Sequence, residues 1–433
     1  MKHLYMWSLF LLCFCHLVHA NPLKVKVSAK AAIVMNAETG AILYEKNAYE
    51  NKYPASITKV ASLLYALSQY EGSLDEIVSC PYHCLKRINS TVKVAHNYSD
   101  PSYWLEPDGT HFWIKRGEKL SLRELLYGMM LVSGNDASNF VAHHVGGTIP
   151  KFMRGMNEYL EELGCQDTHF CNPHGLHHPK HVTTAYDMAL ITKEALKNQT
   201  LMKIASTREY KRSETNMQSA RTFQLKNSLL QPGKFYYSKA IGLKTGYHSN
   251  AGYTLAGAAE KDGRVLIVIL LGCEDSNQRY RDSIRLFEAA FDQEEEDRLL
   301  FKKEDNFFSR EVKNAKMPLR ATLLDDVLIR YYPAEEPNIS IELNWEALNL
   351  PVKAGDWVGE MHILSENNQI LEKAPLYAIR DVKKKSLIAF IDGLKTGSLD
   401  FTPLRNVLTM ILLLSMIVIL YFFFRPEASS EER

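Results

Sequence analysis

Net charge is nearly absent from this sequence: 51 lysines and arginines stand against 50 aspartates and glutamates. Without a basic excess there is no overall electrostatic footprint for a phosphate backbone, which argues against nucleic acid as a partner. No C-x-x-C occurs, which removes the zinc ribbon and the thioredoxin-type dithiol. Cysteine is sparse as well. Of seven, Cys13 and Cys15 fall in the N-terminal apolar run, leaving Cys80, Cys84, Cys165, Cys171 and Cys273. An odd set cannot pair completely within one chain. Two readings stand: short-range disulfides Cys80–Cys84 and Cys165–Cys171 in an oxidising compartment, or five small buried apolar residues.

The two ends are what the composition does supply. Lys2 and His3 precede an apolar run, Leu4 to Val18, and Val18-His19-Ala20 offers a small residue at a cleavage position, so residues 1–20 read as a secretory signal. Near the other end, Val407 to Phe424 is 18 residues without a charge. As a helix it would rise about 27 Å, close to the hydrocarbon thickness of a bilayer. It has no polar face, so it reads as a transmembrane helix, followed by a tail at 425–433. With a signal peptide in front, the body lies outside the cell membrane, held by a single pass, and the tail lies in the cytoplasm.

The body between is long enough for two domains. Ala31–Asn36 and Ala41–Lys46 form a hairpin around Ala37-Glu38-Thr39-Gly40. Ala55 to Tyr70 has helical spacing, with Val60, Leu63, Leu64 and Leu67 on one side. Further helices are predicted at Leu120–Leu131, Ala137–Val145, Thr183–Leu196 and Arg279–Phe291. The Asp262-Gly263 turn joins strands Tyr253–Ala259 and Val265–Leu271. This pattern suits an α+β domain over 21–295, an antiparallel sheet with helices on its faces. The charged stretch Asp292 to Asp305 reads as a boundary. A small all-β domain at 306–385 follows, with strands near 325–330, 340–343, 357–364 and 376–378, then a linker at 386–406.

Three short motifs carry chemistry. Ser56-Ile57-Thr58-Lys59 opens a helix after Pro54, and the i to i+3 spacing puts hydroxyl and amine on one face. A serine is a poor nucleophile until a base takes its proton, and a lysine can do so only with a depressed pKa. The helix N-terminus aims free N–H groups at a developing oxyanion. Ser133-Gly134-Asn135 supplies a hydroxyl for proton relay and an amide that can hold a peptide. Lys244-Thr245-Gly246, opening a run toward the strand at Tyr253, suits a carboxylate, and Lys244 is a cation that helps keep Lys59 neutral. Its glycine lets a substrate lie close to the strand. Ser90-Thr91-Val92-Lys93 and Lys395-Thr396-Gly397 repeat two of these motifs, the first in a polar stretch without helical periodicity and the second in the linker, so both are set aside.

Pro54-Ala55-Ser56-Ile57-Thr58-Lys59, Ser133-Gly134-Asn135-Asp136-Ala137 and Gly242-Leu243-Lys244-Thr245-Gly246 together resemble the low-molecular-weight penicillin-binding D-alanyl-D-alanine carboxypeptidases. The likeness extends through Asn172-Pro173-His174-Gly175-Leu176, Thr184-Ala185-Tyr186-Asp187, Ala251-Gly252-Tyr253 and Ala354-Gly355-Asp356-Trp357-Val358-Gly359, most of residues 25 to 385. It implies the β-lactamase and transpeptidase type of fold and an acyl-enzyme mechanism without cofactor or metal. Ser56 would be the nucleophile, Lys59 its base and Ser133 a proton relay. Asn135 would contact the peptide, and Lys244, Thr245 and Gly246 would receive the terminal carboxylate. Arg279 would stand near that carboxylate, with Arg281 as runner-up. The N–H groups of Ser56 and Tyr247 would form the oxyanion hole. Partners implied are peptidoglycan stem peptides, β-lactam inhibitors and the membrane. A D,D-endopeptidase shares these motifs, and a non-catalytic penicillin-binding sensor or cell-wall-binding protein is the alternative of another class. A class A β-lactamase is disfavoured, because its E-x-x-L-N glutamate is missing between Asn135 and Lys244. The nearest approach, Glu346-Ala347-Leu348-Asn349, is a residue short and in the β domain.

Two features fall outside the motifs. His174, His177, His178 and His181 crowd together without carboxylate ligand spacing, and read as surface histidines on a turn rather than a metal site. The stretch 81–111, polar and bearing Tyr103 and Trp104, reads first as a passive surface loop, with a lid or a partner surface as alternatives.

Overall fold

The computed structural model describes residues 22–79, 81–385 and 402–423, with Ile388 and Lys395 as isolated positions. They fall into two compact units, one of residues 22–296 with Tyr331–Pro337, the other of Asp297–Arg330 and residues from Asn338 onward. The expected signal segment 1–20, Cys80, most of the expected linker including Thr396 and Gly397, Phe424 and the tail 425–433 lie outside the described residues.

In chain order the first unit runs β1 (Ala31–Asn36), β2 (Ile42–Lys46), α1 (Thr58–Gln69), β3 (Ile77–Ser79), α2 (Ser90–Ala95), β4 (Lys119–Ser121), α3 (Leu122–Leu131), α4 (Asn135–Gly146) and α5 (Ile149–Glu162). It continues with α6 (Ala185–Leu196), α7 (Gln199–Ser206), β5 (Glu209–Arg212), β6 (Arg221–Gln224), β7 (Ala240–His248), β8 (Gly252–Lys261), β9 (Arg264–Cys273) and α8 (Ser276–Phe291). Its main sheet is antiparallel, in the order β2-β1-β9-β8-β7.

Strand β9, Arg-Val-Leu-Ile-Val-Ile-Leu-Leu-Gly-Cys, is buried along most of its length because helices cover both faces. Ile267, Ile269 and Leu271 face the larger core with residues of α1 and α3–α6, while Leu266, Val268 and Leu270 face Leu286, Phe287 and Ala290 of α8. Each such side chain contributes roughly 1.5–3 kcal/mol by leaving water. The rigid sheet this creates positions the site along its β7 edge.

Several boundaries move. The Lys244-Thr245-Gly246 motif stands in the middle of β7 rather than ahead of the strand at Tyr253, which belongs to the neighbouring β8. A short 3-10 turn, Ala55–Ile57, precedes α1. Ser90 opens helix α2 and Lys93 is buried, so the stretch read as aperiodic is helical. Helix α5 was not anticipated: Ile149, Phe152, Met153, Met156 and Leu160 are its buried stripe. The pairing Cys165–Cys171 does not form. Both are free thiols, Cys165 Sγ on the Asp187 carbonyl at 3.6 Å and Cys171 Sγ 3.3 Å from His178 Nδ1.

The second unit is built from strands. β10 (Glu296–Phe301) lies within the stretch read as a boundary and pairs with β13 (Val327–Tyr331). β11 (Phe307–Arg310), β12 (Leu319–Thr322), β14 (Ile339–Trp345), β15 (Trp357–Ser365) and β16 (Ile370–Ala378) form a sheet in the order β11-β12-β16-β15-β14. Alternation along β15 buries Gly359, Met361 and Ile363, and an irregularity in the pairing between Trp357 and Gly359 brings Val358 inward as well. A last helix, α9, covers Thr402–Phe423, and its apolar side chains from Val407 to Leu420 are exposed. Among the described residues no helix is long and apolar enough to cross a membrane.

Candidate active site

Ser56 sits in the 3-10 turn that leads into α1. Ala55, just before it, holds φ +51°, a left-handed backbone that a non-glycine residue adopts only when its surroundings impose it. Two clamps impose it: Thr58 Oγ1 donates to the Ala55 carbonyl at 2.8 Å, and Thr254 Oγ1 of β8 donates to the Pro54 carbonyl at 2.8 Å.

One turn on, Lys59 is fully buried. Its Nζ lies 3.1 Å from Ser56 Oγ, donates to Asn135 Oδ1 at 2.8 Å and to the His174 carbonyl at 2.6 Å. Burial holds the amine well below its ordinary pKa of 10.5, and the charges of Lys244 and Lys226 push the same way against a smaller pull from Asp136. A neutral amine has two N–H bonds and one lone pair. In its neutral form, with both N–H bonds on the Asn135 and His174 oxygens, the lone pair would be left for the Ser56 hydroxyl.

Ser133 and Asn135 come from the junction of α3 and α4. Ser133 has φ +64° and its buried Oγ has no hydrogen-bond partner among the described residues. Asn135 opens α4, its oxygen committed to Lys59 rather than to open cleft. The next residue, Asp136, fixes this corner: its carboxylate accepts from the N–H groups of Phe112 at 2.7 Å and Ile114 at 3.0 Å.

From β7 comes Lys244, buried, its Nζ donating to the Thr245 carbonyl at 2.7 Å. Burial first, then Lys226 and Arg279, bring its pKa down to about 7. Arg279 of α8 donates to the Gly246 carbonyl at 3.0 Å, and its guanidinium lies over the Tyr253 and Tyr280 rings. Arg281 is exposed, 3.9 Å from Asp275. A Cβ on Gly246 would stand 2.7 Å from the Ser56 amide nitrogen and 2.5 Å from Thr254 Oγ1, so only glycine leaves that amide uncovered. Tyr247 follows, paired with Tyr253 across the strands.

These residues meet at a cleft of 1180 Å³ whose walls include Ser56, Ser133, Asn135, Lys244, Thr245 and Arg279. The motifs pointed to all of them except Arg279, which the resemblance supplied, but not to the second group that holds Lys59 beside Asn135. That is a backbone carbonyl, from His174 in Asn172-Pro173-His174-Gly175-Leu176. Asn172 staples this loop by accepting from the Gly175 N–H and donating to the Leu176 carbonyl. Gly175 has φ +87°, and a Cβ there would fall 2.0 Å from the Ala55 carbonyl oxygen. Lys226 was also unmarked, since no motif surrounds it.

Two other readings are corrected. His174 and His181 are not surface histidines: both are buried, and burial foremost holds their imidazoles well below the ordinary range. His181 Nε2 is 2.9 Å from Thr58 Oγ1 and its Nδ1 accepts from the Cys171 N–H, so it props the α1 N-terminus. Nor is 81–111 a passive loop. Cys84 and Leu105 enter the protein interior, and Asn139 of α4 donates to the Cys84 and Tyr103 carbonyls. Ser90, Lys93, Tyr98 and Glu106 line the same cleft. The second S-x-x-K differs from the first in its amine: Lys93 Nζ binds Glu106 Oε1 at 2.9 Å and the Trp104 carbonyl at 3.0 Å, not Ser90.

The arrangement can activate a serine and bind a carboxylate beside it. Comparison with known proteins agrees. The pattern described as D-alanyl-D-alanine carboxypeptidase matches residues 17–275, and that described as penicillin-binding protein 5, C-terminal domain matches 296–384. The chain is 28% identical over 369 residues to D-alanyl-D-alanine carboxypeptidase DacF of Bacillus subtilis, covering 84% of this chain and 88% of the relative. Among solved structures, D-alanyl-D-alanine carboxypeptidase DacD from Francisella tularensis superposes with a TM-score of 0.56 at 25% identity, over 84% of this chain and 96% of that one. The Streptomyces K15 DD-transpeptidase does so at 0.53 and 29% identity, over 62% of this chain and 98% of that one.

Proposed function

We infer, because this chain belongs to the D-alanyl-D-alanine carboxypeptidase family, that the cleft between Ser56 and β7 removes the terminal D-alanine from peptidoglycan stem peptides. Ser56 Oγ attacks the carbonyl of the penultimate D-alanine while its proton passes to Lys59 Nζ. The oxyanion rests on the N–H groups of Ser56 and Tyr247. Lys244 and Thr245 hold the terminal carboxylate, with Arg279 as a second cation behind Gly246. The C–N bond breaks as Ser133 Oγ hands a proton to the leaving amine, and Lys59 resupplies it. Water, deprotonated through Lys59, then cleaves the ester and restores Ser56. A β-lactam follows the first step only, and such inhibition is typical of the family. The observation that carries this reading is the buried Lys59 amine, 3.1 Å from Ser56 Oγ and held by the Asn135 and His174 oxygens.

The test is product analysis. A stem pentapeptide ending in D-Ala-D-Ala should release free D-alanine faster than a cross-linked dimer is opened. Opening of the dimer with no release from the pentapeptide would transfer the assignment to an endopeptidase.

Export and anchoring belong to the same proposal and are supported by the sequence. Residues 1–20 act as the signal, and 407–424 inserts so that the body works on the outer side of the cell membrane. The full chain is expected in the membrane fraction and resistant to alkaline carbonate, whereas a chain ending at 385 should be released. Carbonate extraction of the full chain would rule out the span.

A further inference from the structure

His83 and Cys84 stand next to each other on the 3-10 turn Tyr82–Leu85, and His143 faces them from the last turn of α4. One donor atom from each lies within 4.8 Å of the other two. The two imidazoles meet edge to face, His83 Nε2 standing 3.4 Å from His143 Nδ1. That is long for a hydrogen bond, which clusters at about 2.7–3.2 Å. It matches instead two nitrogens on one tetrahedral zinc, which with bonds of about 2.0–2.1 Å stand about 3.3–3.4 Å apart.

We propose that His83, Cys84 and His143 form a zinc site outside the catalytic cleft, with three protein ligands and a fourth position open to solvent. The donor chemistry selects the ion: two imidazoles and a thiolate suit zinc and exclude calcium and magnesium, which take oxygen. The exposure of His83 and burial of Cys84 place the open position on the outer side. On binding, Cys84 forms an S–Zn bond and its proton goes to solvent.

The site would clamp the 81–111 stretch to α4. That stretch lines the cleft, and α4 opens with Asn135, the partner of Lys59. The protein already joins the two elements there, through Asn139 Nδ2 on the Cys84 carbonyl at 3.0 Å. Zinc would add a link at the same point and raise stability without touching the reacting groups.

The experiment uses the full chain in detergent, stripped with chelator, dialysed and exposed to micromolar zinc. Wild type should retain one zinc and melt several degrees higher, while His83→Ala should retain none and lose the shift. His83 is exposed, so this variant keeps its fold. With cobalt(II) in place of zinc, wild type should show a thiolate-to-metal charge-transfer band that Cys84→Ser abolishes, and D-alanine release should stay within about twofold in both variants. Equal zinc in wild type and His83→Ala, or no retained zinc in folded wild type, would overturn the proposal.

Discussion

Ser56→Ala should leave a folded protein that takes no covalent label from a fluorescent penicillin and releases D-alanine at a rate lower by a factor on the order of 10⁴–10⁶. The size follows from what a serine enzyme loses with its nucleophile: only binding and oxyanion stabilisation remain. The fold should survive because Ser56 Oγ makes its one side-chain hydrogen bond to Lys59 Nζ, and the turn around it is held by Thr58 and Thr254. Thermal melting within a few degrees of wild type is therefore part of the expectation. Gel fluorescence after penicillin incubation, with D-alanine release on the same preparations, checks it. Labelling of the Ala variant at the wild-type rate would remove Ser56 from the mechanism.

Lys59→Met should cut acylation by about 10²–10⁴, the range a positioned general base supplies. Methionine keeps much of the length of the chain, but its thioether sulfur is only a weak acceptor and too poor a base to take the Ser56 proton. It also leaves the Asn135 and His174 oxygens without their donor, a cost of roughly 1–3 kcal/mol for each buried acceptor left unmade. Stability should respond to pH with a definite sign. The folded-state pKa of Lys59 is depressed well below 10.5, so between the two values the unfolded chain binds more protons than the folded one. Wild-type stability from this group therefore rises as pH climbs toward 10.5 and falls as pH drops toward the folded value. The Met variant lacks that slope. Its melting temperature relative to wild type should be highest at low pH and decline as pH rises. Melting curves across pH measure this, and a difference that grows with pH would mean that Lys59 is buried as an ammonium.

Both variants rest on residues legible in the sequence, and the reason is chemical. Ser56, Lys59, Ser133 and Lys244 act through side-chain atoms, so identity and spacing reveal them. His174 acts on Lys59 through its carbonyl oxygen, which any residue could supply, and nothing in its identity announces the role. Its burial was hidden for a related reason: histidine is common on surfaces, and only the fold shows that the loop tucks under Ala55. Helix α5 was obscured by Pro150 and Gly155. Pro150 falls in the first turn, where a missing N–H costs nothing, and Gly155 is needed because a Cβ would meet Tyr65 Oη at 2.0 Å. The strand nature of Lys244-Thr245-Gly246 was missed because β7 holds two glycines and a lysine, poor strand formers taken singly. Pairing with β8 overrides that preference. In the 81–111 stretch, the polar surface concealed two anchors, Cys84 and Leu105, spaced too far apart to show a period.

Strand β7 ends its sheet: among the described residues no further strand pairs along its outer side. Proteins commonly guard such an edge with charge, proline or a covering element, since bare N–H and C=O groups invite another chain to add itself. Here the guard and the binding site coincide. Lys244 sits within the edge, and the groups left open there are those an extended peptide can pair with. The same openness that admits one short peptide leaves β7 a template along which an extended segment of another chain can add itself.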